Sequence, residues 1–434
     1  MRVSLRRLAL TGASALLTLP AGLSGSAAAA PDAAPRAACS AAATIEKKLP
    51  NGTVWRMCWR NDPLAGLVLS DVTYRPKHER APIRVLAGAR LAQINVPYDN
   101  GRNEYNDVTQ YKFGSLAIPV RQKDCLSGIL KSFSVTDPDT GRRHTVKGLC
   151  VAVQPRGFAY DGMSGDVGES TDRRDSAQGD DLVLYTVNAV GYYHYITQWN
   201  FSDDGTVTAR EGATGNLSPS DFDASDSTGR PLGRGSAGKA TSHHHNVFWR
   251  LDFGPTRATG ARVEQYDTHT DGTSAGGYPR VRTTHRTIAK ELAGDAANSR
   301  WWRIAGTAGK NADGHLRSWE IVQQHTDRYM PHAYTRHDVY FTQNKNCEKY
   351  ASENEVGGST SCKSTVDRFV NGERLTHPIV WVNVGFHHVP RDEDQTPMPV
   401  HWQGFQIVPR DVTAMSPLTP DRLHDPAHNG DPLD

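Results

Sequence analysis

Short runs of β-branched and aromatic residues, each cut off by Gly, Asn, Asp or Pro, recur along most of this chain and leave little room for long helices. They span Thr53–Trp59, Gly66–Tyr74, Ile83–Tyr98, Leu182–Phe201, His243–Phe253 and Ile379–Val389. Such residues suit a pleated, half-buried surface, and the intervening clusters supply turns. The stretch Glu211–Lys239, rich in Gly, Ser and Asp, predicts loop. A short helix is expected within Ile288–Ala305, and no internal repeat is found. The pattern predicts an all-β protein, a large antiparallel β-sandwich with long loops.

The first thirty residues read as an export signal. Arg2, Arg6 and Arg7 precede the apolar stretch Leu8–Leu23, and small residues follow at Ser26–Ala30. Residues 31–50, rich in Ala and Pro, predict a disordered lead-in, and 51–434 one β-sandwich domain. A secreted, extracellular protein is expected, with no membrane span. The 49 basic and 47 acidic side chains nearly cancel, which argues against nucleic acid as a partner. Six cysteines suit an oxidising compartment. The simplest pairing is sequential, Cys39–Cys58, Cys125–Cys150 and Cys347–Cys362, although spacing leaves other connectivities open.

Side chains on a strand alternate between faces. In Ser242–Asp252, His243 and His245 therefore share a row with Val247, Trp249 and Leu251, while His244 faces the other way with Phe248. Two imidazoles at i and i+2 can chelate copper or zinc. The same parity in Ile379–Pro390 places His388 with Val380, Val382, Val384 and Phe386, so a third imidazole points inward. Along Leu182–Phe201 one face carries Tyr185, Val187, Ala189, Gly191, Tyr193, Tyr195, Trp199 and Phe201, which turns Tyr193 into the core. Taken singly, each of these residues fits an ordinary packed interior equally well.

The segment Trp381-Val-Asn-Val-Gly-Phe-His-His-Val-Pro-Arg-Asp-Glu-Asp-Gln-Thr-Pro-Met-Pro-Val400 and the trailing Gly404-Phe-Gln-Ile-Val-Pro409 resemble the closing motif of the copper amine oxidases. His243-x-His245 followed by Arg250-Leu251-Asp252 resembles the paired copper ligands of that family. Gly66–Tyr74, Val96-Pro-Tyr98, Asp204-Gly-Thr206 and Ala213-Thr-Gly215 match further segments in family order. The resemblance implies copper(II) held by His243, His245 and His388, and topaquinone formed from Tyr193. Tyr105–Tyr111 resembles the segment that carries the catalytic base, which makes Asp107 that base and Tyr105 a substrate gate. Tyr98 matches a tyrosine that hydrogen-bonds a quinone oxygen, and Cys125–Cys150 a family disulfide.

A homodimer that turns a primary amine, O2 and water into aldehyde, ammonia and hydrogen peroxide is thereby implied. The chain departs from the family at Ala189-Val-Gly-Tyr-Tyr-His194, where the usual Thr, Asn and acidic residue are missing. Gln395-Thr396 replaces Trp-Pro. Gly254 and His377 break a peripheral calcium pattern that retains Asp252, so calcium is not expected. Two alternatives stay open: a copper-binding relative that makes no topaquinone or catalyses a different oxidation, and a secreted β-sandwich that only binds a partner.

Overall fold

The computed structural model describes residues 39–163, 174–221, 229–232, 239–254, 261–297, 299–324, 331–352 and 362–420. The expected signal, residues 1–30, and most of the lead-in lie outside them. The chain divides into two units at Cys39/Ser40, and only Cys39 of the first is described. The second unit holds both sheets and the site. The lead-in ends earlier than expected, because Thr44–Lys48 is a strand that pairs with Val54–Asp62 and buries Ile45.

Two large sheets carry the fold, and every strand pairing in them is antiparallel. At the centre of the nine-stranded sheet, Ile83–Pro97, His243–Asp252 and Pro378–His388 lie side by side. In the eleven-stranded sheet, Tyr193–Ser202 runs between Arg174–Val190 and Val207–Gly215, and Met398–Arg410 lies beyond the latter. The inner faces interlock through aromatic rings: Trp249 meets Trp199 edge-on at 5.1 Å, and Phe405 at 5.9 Å. This is the predicted sandwich. The nine-stranded sheet is covered on its other side too, where Ala92, Phe248, Tyr340 and Trp381 pack with Val366 and Phe369. Almost every residue of His243–Asp252 and Pro378–His388 is consequently buried, and alternation decides which core a side chain enters.

Other expectations also need correction. Leu182–Phe201 is a hairpin and not one run, with Tyr193 opposite Val190 across the two-residue turn Gly191-Tyr192. Gly191 sits at φ +57°, and a positive-φ glycine first in such a turn is the II′ arrangement, whose twist suits a hairpin. The turn inverts the parity on its N-terminal side. Leu182, Leu184, Thr186, Asn188 and Val190 are the buried set, while Tyr185, Val187 and Ala189 lie half-buried on the other face. The expected loop Glu211–Lys239 begins inside strand Val207–Gly215, where Glu211 is fully buried. Within Ile288–Ala305 there is no described helix. Leu292–Gly294 pairs with Val339–Phe341, and Trp301 opens another strand, since available strand partners outweigh the weak propensity of a short helix. Strands Ile129–Thr136, Arg143–Met163, Arg262–Thr273 and Pro279–Ile288, all polar on one or both faces, escaped the apolar-run criterion.

Disulfides join Cys125 to Cys150 and Cys347 to Cys362. Cys39 and Cys58 are each disulfide-bonded as well. No helix among the described residues is long and apolar enough to cross a membrane.

Candidate metal centre and substrate pocket

Register brings the three inward histidines together. His243 stands opposite His388, and His245 opposite Phe386, on neighbouring antiparallel strands. Facing residues of such a pair share one side of the sheet, so strands far apart in sequence deliver His243, His245 and His388 to one inner patch. Gly385 lets the strands approach, since a Cβ there would fall 2.1 Å from the His245 carbonyl oxygen. The ring of His243 lies 5.0 Å from His245 and 5.0 Å from His388. One ligand atom from each of the three lies within 4.8 Å of the others.

Tyr193 reaches this patch from the opposite sheet. Its hydroxyl is 2.7 Å from His243 Nε2 and 3.1 Å from His388 Nδ1. The far nitrogens are committed: His243 Nδ1–H donates to the Thr241 carbonyl at 2.9 Å, and His388 Nε2–H to Asp394 Oδ2 at 3.0 Å. Both rings therefore turn a lone pair toward the phenol. One hydroxyl proton cannot satisfy two lone pairs. His245 adds to the surplus, because its Nδ1 faces the Tyr195 hydroxyl at 3.3 Å while its buried Nε2 has no partner. Three buried imidazoles with more lone pairs than protons are the condition that a cation relieves. Burial pushes His243 down to about 3 and His388 to about 4, and drives His245 well below the usual histidine range. Neutral imidazoles are what a divalent metal requires, and an all-imidazole set suits copper(II) or zinc. Among the described residues, the donor set fits the expected copper.

Asp394 is a residue that sequence reasoning missed. It accepts from His388 Nε2, from His401 Nε2 at 3.1 Å and from the Arg391 N–H at 3.0 Å. Burial alone would raise its carboxyl, but these donors outweigh burial and hold it near 2. An ionised carboxylate behind a ligating imidazole fixes the tautomer and the ring's direction. Its position six residues after His388, in the Arg391-Asp-Glu-Asp394 segment, was the available signal.

A pocket of about 200 Å3 opens beside Tyr193 and is lined by Tyr98, Tyr105, Asp107, Tyr111, Tyr195 and Asp221, among others. Asp107 begins the short helix Asp107–Gln110, which Gln93 on the adjacent strand anchors through Val108 N–H and Thr109 Oγ1. Asp107 is 5 % exposed, and burial pushes its carboxyl up to about 7, even though a hydrogen bond from Tyr195 works in the other direction. Tyr98 stacks on His243 at 4.7 Å and meets Tyr105 edge-on at 5.8 Å. Among the described residues no hydrogen bond joins Tyr98 to Tyr193, so the expected quinone contact is represented by proximity alone. Tyr192, where the family has Asn, sits at the turn tip 44 % exposed, and His194 also faces solvent. Asp252, in the partial calcium pattern, instead faces His377 Nε2 at 2.7 Å and accepts from Gly254 N–H.

Fold and site define an antiparallel β-sandwich with an internal three-histidine centre that faces a tyrosine and a half-enclosed pocket. The family model for the copper amine oxidase enzyme domain matches residues 46–420, and the chain belongs to that family. Histamine oxidase of Arthrobacter globiformis is 27% identical over 398 residues, covering 84% of this chain and 56% of that protein. Primary amine oxidase of Klebsiella aerogenes is 26% identical over 391 residues, covering 80% of this chain and 50% of that protein. The chain thus spans about half the length of the curated relatives it matches. A copper-containing benzylamine oxidase from Hansenula polymorpha shares the fold with a TM-score of 0.69 at 19% identity, over 86% of this chain and 61% of that one. Pichia pastoris lysyl oxidase does so with a TM-score of 0.65 at 17% identity, over 83% and 51%.

Proposed function

We propose that the protein is an exported, copper-dependent oxidase of primary amines in which Tyr193 is the precursor of topaquinone. The observation that carries this reading is the Tyr193 phenol held between lone pairs of His243 and His388, with Asp107 on the wall of the adjoining pocket. Copper held by His243, His245 and His388 would supply the oxygen chemistry that matures Tyr193 and returns the cofactor to its oxidised form.

The chain's own residues account for the rest. The aromatic walls formed by Tyr98, Tyr105 and Tyr111 exclude water from one side of a bound amine. Asp107, raised to about 7 by burial, is a carboxylate basic enough to take the proton from the substrate's α-carbon. The hydrogen bond from Tyr195 holds it in place. The balance is amine, O2 and water to aldehyde, ammonia and hydrogen peroxide.

Aerobic copper loading should produce a visible quinone band that a hydrazine titrates, and Tyr193→Phe should abolish both. No band in the wild type sinks the proposal in favour of a copper-binding relative without topaquinone, the reading that Tyr192 and His194 favour. Because the base must be ionised, kcat/KM should rise through about pH 7. Asp107→Asn should lower it by about 10²–10⁴-fold and remove that limb.

Export is supported by the absence of a free cysteine among the described residues. A homodimer is supported by the hairpin Arg262–Thr273/Pro279–Ile288, whose second strand is exposed from Pro279 to Thr287 and includes Val281. Light scattering on the purified chain tests the assembly.

A further inference from the structure

We propose that Asp221 is a recognition site for a second cationic group on the substrate, so that this pocket selects diamines over monoamines. The inference rests on the amine-oxidase reading and names its substrate class.

Asp221 lines the same pocket as Asp107 and Tyr193, yet it comes from the Pro219–Asp221 turn, a different part of the chain from either. It is 3 % exposed. Its two oxygens are in different situations. Oδ1 is saturated, accepting from the Tyr105 hydroxyl at 2.8 Å and from Asn103 Nδ2 at 2.5 Å. Oδ2 is buried and has no hydrogen-bond partner. A buried carboxylate oxygen without a donor is costly to maintain, and such costs are tolerated where a ligand supplies what is missing.

The side chain cannot simply swing away to find water. Its backbone carbonyl accepts from Thr241 Oγ1 at 2.9 Å and from Asn100 Nδ2 at 3.0 Å, while Oδ1 is held from two directions. Thr241 in turn carries the carbonyl that orients His243, so the carboxylate is fixed relative to the reacting end of the site.

The lining decides what could complete Oδ2. No Lys, Arg or His lines this pocket among the described residues, so no protein cation is at hand. A second ammonium on a substrate provides both charge and donors. The rings of Tyr105, Tyr111 and Tyr192 line the pocket and form walls along which a methylene chain can lie. One amine would then react near Tyr193 and Asp107 while the other pairs with Asp221.

The test uses putrescine and n-butylamine as probes, in copper-free and copper-loaded protein. In copper-free protein, calorimetry should show putrescine binding at least tenfold more tightly than n-butylamine. That preference should collapse in Asp221→Asn. In copper-loaded protein the ratio of kcat/KM for the two amines should follow the same pattern. Equal binding in the wild type, or a preference that survives Asp221→Asn, overturns the inference. Should Asp221→Asn fail to fold, Asp221→Glu extends the carboxylate by one methylene and must shift the preferred chain from longer toward shorter diamines; no shift overturns it. Diamine preference in copper-free protein without turnover after loading sinks the oxidase reading and leaves the binding site standing.

Discussion

The strands His243–Asp252 and Pro378–His388 carry two histidine pairs one residue apart, on opposite faces of the same sheet. His243 faces His388 on the inner side, and His244 faces His387 on the outer. The inner rings lie 5.0 Å apart at 64°, so their nitrogens can turn toward a common point. The outer rings are stacked 3.9 Å apart at 5°. Imidazole lone pairs lie in the ring plane, and parallel planes do not converge. Asp99 closes the outer pair, with Oδ2 2.8 Å from His387 Nε2 and Oδ1 3.7 Å from His244 Nδ1. By distance alone both sets could hold a metal, since Asp99, His244 and His387 also bring their atoms within 4.8 Å. The number and proximity of donors do not separate them; ring orientation and the group opposite do. The inner set meets a phenol and its ring planes converge, whereas in the outer set the rings are stacked and a carboxylate hydrogen-bonds His387.

Breaking the inner pair should have the largest effect. His388→Ala removes one of the three proposed ligands, and metal analysis after dialysis should find stoichiometric copper in the wild type and none retained in the variant. Equal retention would show that the outer set, or another site, holds the ion. Asp394→Asn leaves the three imidazoles in place and weakens the bond that orients His388. Copper affinity should fall by about 10–100-fold in competition with a chelator, with the full complement recovered at high copper. The smallest effect belongs to the outer pair. His387→Gln should leave copper affinity within about threefold of wild type while lowering the melting temperature by a few degrees, as loss of a half-buried hydrogen bond does. A large fall in copper affinity there would erase the contrast between the two faces.

Much of the inner site is legible in the sequence because parity is local. Alternation along two runs assigns His243, His245 and His388 to the inner face, and they are buried there. It also turns Tyr193 inward, though by a parity count carried across Gly191, where the chain in fact turns back. The count succeeds for Tyr193 because it begins the second strand, and fails for Tyr185, Val187 and Ala189 on the first. Alternation gives no role to Asp394, to Tyr195 as partner of Asp107, or to Asp221. Each acquires its role from a partner it meets only in the folded chain: Asp394 from His388 and His401, Tyr195 from Asp107, Asp221 from Tyr105. Glu211 shows the same limit from the other side. It belongs to a stretch that reads as polar loop, yet pairing with Thr197 and Gln403 carries it into the core.

What the residues determined unaided was the β class, the alternation of faces within an unbroken strand, and a family resemblance resting on ordered motifs. These depend on chemistry within a few positions of one another. The opposition of His243 and His388 and the approach of Tyr193 from the second sheet were decided only by tertiary structure. Each needs a register between strands up to about two hundred residues apart, and register is set by the packing of whole sheets rather than by any short stretch of chain.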